Sequence, residues 1–253
     1  MAIHLFNCFT CNARWPSNLK TGMACLLIET DQGLALIDTG LGLNDYANPT
    51  WFTQFFRVIT EMPFNPNEAA VNRIKQLGYN PKDIKHIILT HMHFDHCSGL
   101  SDFPHAKVHV HRREYDAFTE GKIRQFTEFA YIPRYIAHQP EFVLYDKVDL
   151  KWYEFDAIRL PFEPEMYFIP LHGHSRGHCG VVIKTSAGWI FHAADAGTIY
   201  NNETPTWLIK LVLGPHDPHL REFMETHPEV RVLNSHMSLD FFNQESTELA
   251  ADA

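Results

Sequence analysis

One short stretch of this sequence concentrates side chains that bind metal ions. Within six residues it carries four potential ligands: His91, His93, Asp95 and His96. The stretch directly follows the mainly apolar run 87–90, so we expect it to form the turn at the end of a buried strand. A turn in that position holds reactive side chains rigidly and leaves them accessible. The remaining sequence is interpreted as the scaffold of this turn.

Three further predicted strands also end at a potential ligand. A histidine-rich turn containing His174 follows the strand over 166–169, Asp195 follows the strand over 189–193, and His236 follows 230–233. Imidazole nitrogens and carboxylate oxygens suit zinc, with manganese, iron or cobalt as alternatives, whereas calcium and magnesium prefer mostly oxygen ligands. Seven ligands are more than one tetrahedral site can hold. With one shared carboxylate they would fill two adjacent sites.

The elements that must position these ligands mix strands with helices. A hairpin is predicted over 24–37, and its second strand ends at Asp38, a carboxylate that either accepts hydrogen bonds from its own turn or acts in catalysis. Helices are predicted from Asn67 to Gly78 and over 218–224. This mixture favours a sheet-rich α/β domain with external helices, covering residues 1–244, and a flexible tail at 245–253.

Residues 44–66 are unusually aromatic for a surface loop. Three of the aromatic side chains are candidate substrate contacts: Trp51, Phe52 and Phe55. Two interpretations remain open, because periodicity does not separate them. The segment is either a lid over the site or a short helix that packs its aromatic side chains on the core.

Charge and composition limit the partners of this chain. The formal net charge is -9 and no Lys/Arg cluster is present, which argues against nucleic-acid and anionic-membrane surfaces. The sequence contains no signal-like amino terminus and no run long enough to span a membrane, so we expect a cytoplasmic protein acting on a small molecule. Among the 17 histidines, His109 and His111 alternate along a predicted strand and should decorate one sheet face rather than bind metal.

The cysteines are not expected to form a disulfide framework. Their number is odd and they are scattered, so we expect reduced thiols at the following positions: Cys8, Cys11, Cys25, Cys97 and Cys179. Cys8 and Cys11 have the spacing of half a zinc site or of a redox motif, and they can equally be two structural thiols.

The motifs at residues 91–96, His174 within Gly-His-Ser, Asp195 and His236 together resemble the metallo-β-lactamase superfamily, and the Asp-Thr-Gly at 38–40 resembles its early motif. The segment from His96 to Tyr115 and the chain length resemble the acyl-homoserine lactonase-like group. The resemblance implies an αββα sandwich of two mixed β-sheets, with the metals in a groove at one edge.

The resemblance also implies a role for each candidate residue. It places His91, His93 and His174 at a first metal, and Asp95, His96 and His236 at a second. Asp195 would bridge the two metals. Orienting positions behind the ligands are then expected for Asp38, His172 and His178. The lactonase-like group has a substrate-contacting tyrosine three residues after the bridging aspartate, where this chain has Thr198, with Tyr200 close by.

The implied activity is hydrolysis by a metal-bridging hydroxide, with Asp95 or Asp195 orienting the nucleophile or accepting its proton. In penicillin-cleaving members the bridging position is typically Cys or Ser, so Asp195 favours a lactone or ester of a small, largely neutral substrate over a β-lactam. The alternatives are a thioester or phosphodiester hydrolase of the same fold, a mononuclear iron dioxygenase, and a non-catalytic metal-stabilised binding protein.

Overall fold

In a computed structural model, the chain is described at residues 1–13, 19–197, 206–244 and 248–251. Two β-sheets pack face to face, and helices cover their outer faces. Each sheet contains both parallel and antiparallel strand pairs. This arrangement confirms the predicted αββα sandwich. Within the described residues, no helix is both long enough and apolar enough to cross a membrane.

Strands are numbered in chain order. The first sheet has the order β14-β1-β2-β3-β4-β5-β6, and β13 pairs with β2 beside it. Within the described residues its strands are β1 (Ala2–Ala13), β2 (Leu19–Thr30), β3 (Gly33–Ile37), β4 (Ile84–Ile88), β5 (Lys107–His111), β6 (Phe142–Tyr145), β13 (His236–Ser238) and β14 (Glu248–Ala251). The predicted hairpin is the β2–β3 pair, in which Ile28 faces Ala35 across antiparallel strands.

The second sheet has the order β12-β11-β10-β9-β8-β7. Its strands are β7 (Leu150–Trp152), β8 (Phe155–Arg159), β9 (Met166–Pro170), β10 (Cys179–Thr185), β11 (Gly188–Ala194) and β12 (Arg231–Asn234). The pair β11–β12 is parallel, whereas the pairs β10–β11, β9–β10, β8–β9 and β7–β8 are antiparallel.

The α-helices of the described residues are α1 (Leu43–Ala47), α2 (Trp51–Ile59), α3 (Ala70–Gln76), α4 (Phe94–Cys97), α5 (Arg112–Glu120), α6 (Thr206–Leu213), α7 (Asp217–Thr226) and α8 (Leu239–Gln244). The helices predicted from Asn67 and over 218–224 correspond to α3 and α7. Helix α3 begins three residues later than predicted, because Pro66–Glu68 form a separate 3₁₀ turn.

Alternation along the strands divides the core into layers. In β2, Leu26 and Ile28 face the second sheet, whereas Cys25 and Leu27 face the helices. On β5, Val108 and Val110 likewise face the helices, so His109 and His111 lie on the opposite face. The rings of His109 and His86 are joined by a 2.9 Å hydrogen bond inside the structure. His109 and His111 are therefore buried sheet residues, and neither belongs to a metal-binding group of the described chain.

Parallel pairing brings the ligand-bearing turns to one edge of the sandwich. Strands β3, β4 and β5 are parallel neighbours, so the turns that follow β3 and β4 leave the same edge of the first sheet. In the second sheet, β11 and β12 are parallel and deliver Asp195 and His236 in the same way. A backbone hydrogen bond joins the edges of the two sheets, in which the Cys179 N–H donates to the Thr90 carbonyl over 2.9 Å.

Part of the predicted tail is ordered in a sheet. Residues 248–251 form β14, which pairs antiparallel with β1 and places Ala251 opposite Ala2. In this segment the structure differs from the predicted flexible tail, because the edge of β1 offers backbone donors and acceptors that the segment pairs with. Residues 245–247 and 252–253 lie outside the described chain.

The prediction of five reduced cysteines is wrong for one pair. Cys8 and Cys25 are joined by a disulfide across β1 and β2, with their Cα atoms 6.2 Å apart. The strand pairing that brings them together is a tertiary feature which cysteine spacing does not reveal. Cys11, Cys97 and Cys179 are free and buried, and Cys11 Sγ lies 3.0 Å from Thr21 Oγ1. Because Cys8 is paired with Cys25, the Cys8–Cys11 spacing forms neither a redox disulfide nor half of a zinc site here.

Candidate metal centre

The hexapeptide at 91–96 changes conformation halfway along its length. The segment reaches the edge from β4, and His93 keeps an extended backbone (φ -69°, ψ 158°) as the residue before α4. Asp95 and His96 lie on that short helix. The six residues therefore supply potential ligands from an extended segment and from a helix, and the rings of His91 and His96 lie 3.9 Å apart.

The first group of side chains consists of His91, His93 and His174. Their potential ligand atoms all lie within 4.8 Å of one another. The ring nitrogens His174 Nε2 and His93 Nδ1 are 2.9 Å apart, and all three residues are buried. The other ring nitrogen of His174 contacts the Val212 carbonyl, which turns Nε2 toward the group.

The second group consists of Asp95, His96 and His236. His236 Nε2 lies 3.3 Å from Asp95 Oδ2, and His96 Nε2 lies 3.9 Å from the same oxygen. Asp95 comes from α4 and His236 from β13, so residues 141 positions apart in the sequence meet here. Both elements adjoin the first sheet, because β13 pairs with β2 and α4 follows β4.

Asp195 lies between the two groups. Its Oδ2 is 3.3 Å from His174 Nε2 and 3.4 Å from His236 Nε2. Its Oδ1 is 3.5 Å from His96 Nε2, and Asp195 forms a third metal-binding group with His91 and His96. The structure thus brings together all seven residues that the sequence predicts as ligands, with one carboxylate in contact with both groups.

The local environment divides the cluster electrostatically. Burial is the largest reason why the pKa values of His91 and His93 lie well below 6.5, and neighbouring histidines lower them further. Burial also acts to lower the pKa of His96, but the carboxylates of Asp195, Asp38 and Asp95 outweigh it and raise that pKa to about 10. His91 and His93 are therefore neutral at pH 7, with ring lone pairs free to bind a cation.

Opposing effects also act on the carboxylate between the groups. Burial raises the pKa of Asp195, yet the histidines His236, His96 and His174 outweigh burial and hold its pKa well below 3.8. Asp195 is consequently ionised at neutral pH. A carboxylate must be ionised to bind a divalent cation, so Asp195 is in the form that a metal site requires.

Asp38 lies directly behind His96. The residue has a left-handed backbone (φ 55°), which turns its carboxylate toward the next strand end. It accepts hydrogen bonds from the Thr90 N–H and hydroxyl over 2.9 and 2.8 Å, and its Oδ2 is 2.8 Å from His96 Nδ1. Since Nδ1 of His96 faces Asp38, Nε2 is the nitrogen that faces the cluster. This placement favours the structural interpretation of Asp38 over the catalytic one.

His178 and His172 occupy different positions, although the sequence predicts the same role for both. The Asp195 N–H donates to His178 Nε2 over 3.1 Å, so His178 Nδ1 donates to the Leu171 carbonyl. His178 therefore fixes the backbone of a predicted ligand. His172 instead packs its ring 4.9 Å from that of His111 and directs Nδ1 to the His178 carbonyl. These ring contacts are with His111 and the His178 carbonyl, and neither partner is a predicted ligand.

The residues of the cluster fit a metal. Four of its buried polar atoms have no hydrogen-bond partner: His91 Nε2, His93 Nε2, His96 Nε2 and Asp195 Oδ1. Buried polar atoms are normally paired, because leaving one unpaired costs about 1–3 kcal/mol. Cations held among these side chains would satisfy all four atoms, and nitrogen with carboxylate oxygen is a donor set that suits zinc.

Comparison with known proteins agrees with this geometry. The family described as the metallo-beta-lactamase superfamily matches residues 23–226, which include all the predicted ligands except His236. The chain belongs to the metallo-β-lactamase superfamily.

Two relatives of the chain are named as a probable metallo-hydrolase and as a lactonase. A probable metallo-hydrolase of Mycobacterium tuberculosis is 34% identical over 200 residues, covering 77% of this chain and 62% of the relative. The match therefore spans less than two thirds of that relative's length. An N-acyl homoserine lactonase of Bacillus cereus is 28% identical over 190 residues, covering 74% of this chain and 69% of the relative.

Solved structures of superfamily lactonases share the fold. One is an N-acyl homoserine lactone hydrolase with N-hexanoyl-L-homoserine at its catalytic metal centre, with a TM-score of 0.69 and 20% identity over 97% of this chain and 96% of that one. Another is a dizinc quorum-quenching lactonase, with a TM-score of 0.56 and 20% identity over 87% of this chain and 74% of that one.

The predicted substrate contacts divide between the surface and the core. Within this superfamily chain, Trp51 and Phe55 on α2 are 72% and 55% exposed. Phe52 packs its ring 5.2 Å from that of Phe94, the residue between His93 and Asp95. The aromatic segment is thus a helix with one face on the core and an apolar face outside. Tyr200 lies outside the described residues.

Sequence reasoning missed two residues at the superfamily site. Tyr131 places its ring 5.3 Å from that of His93 and lines a cavity of about 340 Å³ together with Trp51. Glu114 is fully buried, and its oxygens accept hydrogen bonds from groups beside the predicted ligands. Glu114 lies in the charged run 112–116 at the start of a helix, a pattern typical of a solvated surface, so its burial could not be predicted from the local sequence.

Proposed function

We propose that this protein is a metal-dependent hydrolase that opens a lactone or cleaves an ester of a small, largely neutral substrate, using two divalent ions. The observation that carries the proposal is the position of Asp195. Its carboxylate lies 3.3–3.5 Å from ring nitrogens of both groups of histidines. A carboxylate shared in this way is typical of a two-metal site.

In this proposal the first ion is held by His91, His93 and His174, and the second by Asp95, His96 and His236. Asp195 would contribute to holding both ions. Zinc is the expected metal, with manganese, iron or cobalt as alternatives. When bound, the two ions supply an acidified water and polarise the substrate carbonyl.

Carboxylate side chains of the protein accept the proton in this proposal. Asp95 and Asp195 are the proposed catalytic carboxylates, because both lie at the centre of the cluster and Asp195 is held ionised by the histidines around it. Either can orient the attacking water and accept its proton at a carboxylate oxygen. Asp38 and His178 keep His96 and the Asp195 backbone in place during this transfer.

The apolar part of the substrate is assigned to the aromatic helix. Trp51 and Phe55 are exposed on α2, and the inner face of the same helix rests on Phe94 within the hexapeptide. We include Phe52 and Tyr200 as further contacts. Relatives named N-acyl homoserine lactonase support an acyl-substituted lactone as the first substrate to test.

The test combines metal quantification with a substrate panel. We expect about two metal ions per chain and turnover of a lactone or ester in preference to a thioester or phosphodiester. Asp195→Ala should abolish turnover, while its circular dichroism spectrum without metal should match that of the wild type.

Other outcomes identify the alternatives. One bound iron with oxygen consumption on a persulfide would support a dioxygenase of the same fold. A fully metallated protein that is inert to all four ester classes would support a binding protein.

A further inference from the structure

Glu114 is a buried carboxylate in the first turn of α5 with no solvent exposure. Each of its two carboxylate oxygens accepts two hydrogen bonds. The Met92 N–H and the Tyr131 hydroxyl donate to Oε1 over 2.8 and 2.9 Å. The Ser175 hydroxyl and the Gly177 N–H donate to Oε2 over 2.7 and 2.9 Å. A buried charge is tolerated only when it is satisfied in this way.

Three of the four donors to Glu114 lie beside a proposed ligand, and the fourth, Gly177, lies three positions after His174 on the same turn. Met92 lies between His91 and His93, and Ser175 follows His174. Tyr131 packs its ring 5.3 Å from the His93 ring. One carboxylate therefore connects two turns that are about 80 residues apart in the sequence, and each turn supplies ligands to the first group.

The backbone leaves little room for this connection to relax. A Cβ atom placed on Gly177 would lie 2.1 Å from the Glu114 amide nitrogen, so the second turn is in direct backbone contact with the start of α5. Only glycine permits this approach. Movement of Glu114 would consequently displace either the Met92 turn or the Ser175 turn.

We propose that Glu114 is a positioning residue that holds His91 and His93 at a fixed separation from His174, so that the three can share one metal ion. The inference rests on the metal centre of the proposed function. Glu114 reaches no ligand ring itself, and its effect passes through the backbone of Met92 and Gly177 and through Ser175 and Tyr131.

Glutamine at this position tests the requirement for two acceptor oxygens. Glu114→Gln keeps the side-chain size but replaces one oxygen with an NH₂ group, which donates and does not accept. The hydroxyls of Ser175 and Tyr131 can rotate, whereas the N–H groups of Met92 and Gly177 cannot. One of these two backbone donors is therefore left facing another donor, and its turn must shift.

The experiment measures metal affinity by chelator competition with Zn²⁺, and site geometry from the visible absorption of bound Co²⁺. His174→Ala and His236→Ala assign the two binding steps to the first and second groups. Glu114→Gln should weaken the first step by roughly 10–100-fold, the range for loss of a group that supports metal ligands. The second step should change by less than about threefold, well below that range.

Asp45→Asn is the matched control. Asp45 is another buried carboxylate, but it pairs with Arg134 and Thr53, which lie on no ligand-bearing turn. Its variant should lose thermal stability and keep both metal affinities and the Co²⁺ spectrum. Equal loss of first-site affinity in Asp45→Asn and Glu114→Gln would overturn the inference, because it would show a general effect of destabilisation.

Two milder variants apply if Glu114→Gln does not fold. Ser175→Ala and Tyr131→Phe each remove one hydrogen bond, and each should weaken the first step by roughly 2–10-fold. Wild-type affinity in both of these variants, or in folded Glu114→Gln, would overturn the inference while leaving the proposed function intact. A wild-type protein that binds no metal would overturn both.

Discussion

Asp38 Oδ2 lies 2.8 Å from His96 Nδ1, and neither side chain is exposed to solvent. The contact fixes which nitrogen of His96 faces Asp195. It also joins the end of β3 to the helix α4, so a residue of the early Asp-Thr-Gly motif orients a histidine of the hexapeptide.

We therefore expect Asp38→Asn to weaken metal binding at the second group by roughly 10–100-fold, because the asparagine amide can present a donor to His96 Nδ1 and release the ring. Chelator competition with Zn²⁺ measures the change. His174→Ala separates the two binding steps, and an unchanged second step in Asp38→Asn would contradict the expectation.

Metal removal should lower the stability of the fold. A bound metal would give partners to the unpaired polar atoms of His91, His93, His96 and Asp195. It would bind the folded chain in preference to the unfolded one. At free metal a thousandfold above its dissociation constant, the stabilisation is about 4 kcal/mol. Thermal unfolding with Zn²⁺ and with EDTA should show this difference in Tm. Asp195→Ala should reduce it, and an EDTA-insensitive Tm in the wild type would argue against the centre.

The two faces of α2 should respond differently to truncation. Trp51→Ala and Phe55→Ala remove exposed side chains, so unfolding free energy should change by about 0.5 kcal/mol or less. If these side chains hold an acyl chain, kcat/KM for a decanoyl lactone should fall roughly 5–30-fold, corresponding to about 1–2 kcal/mol of lost apolar contact. A butanoyl lactone serves as the short-chain control.

Phe52→Ala is the matched variant from the inner face of α2. Its ring packs on Phe94, so the same truncation should lower the unfolding free energy by about 2 kcal/mol, less than for a fully buried phenylalanine. Equal loss of kcat/KM on short and long lactones in Trp51→Ala and Phe55→Ala would exclude an acyl-chain contact at the outer face.

Acid should destabilise the protein through His109. Burial, with His86 and Lys107 nearby, lowers the pKa of His109 to about 3, while the unfolded value is about 6.5. The unfolded chain therefore binds the proton first, and stability present above pH 6.5 is lost as the pH falls toward 3. Between pH 7.5 and 5.0 this amounts to about 2 kcal/mol for His109 alone.

Urea unfolding at the two pH values, with EDTA present, measures this loss. His109→Gln should reduce the difference between pH 7.5 and 5.0 by about 2 kcal/mol, whereas the exposed-face variant Phe55→Ala should leave it unchanged. An identical pH dependence in His109→Gln and the wild type would contradict the assignment.

The predicted and unpredicted features differ in how local their signals are. The hexapeptide, the turn at His174 and the residues Asp195 and His236 each follow a strand whose apolar pattern is visible in the sequence. Their convergence then follows from the fold that these motifs resemble. The Cys8–Cys25 bond and the pairing of β14 with β1 depend on neighbours in space, and no local pattern encodes them.

Glu114 illustrates the same limit inside the site. Its charged neighbours predict a solvated helix start, and its burial arises only when Gly177 packs against it. His172 and His178 show the reverse case. They share one histidine-rich turn, yet only His178 reaches the backbone of Asp195, because the two rings leave the turn in different directions.

The outer face of α2 has a consequence for evolution. Trp51 and Phe55, with Val58 and Ile59 beside them, are more than half exposed, so substitutions there cost little folding stability. Gly177, by contrast, admits no side chain. If α2 contacts the substrate as proposed, substitutions there can change substrate preference at little cost in stability, while the turns around the proposed metal ligands stay constant.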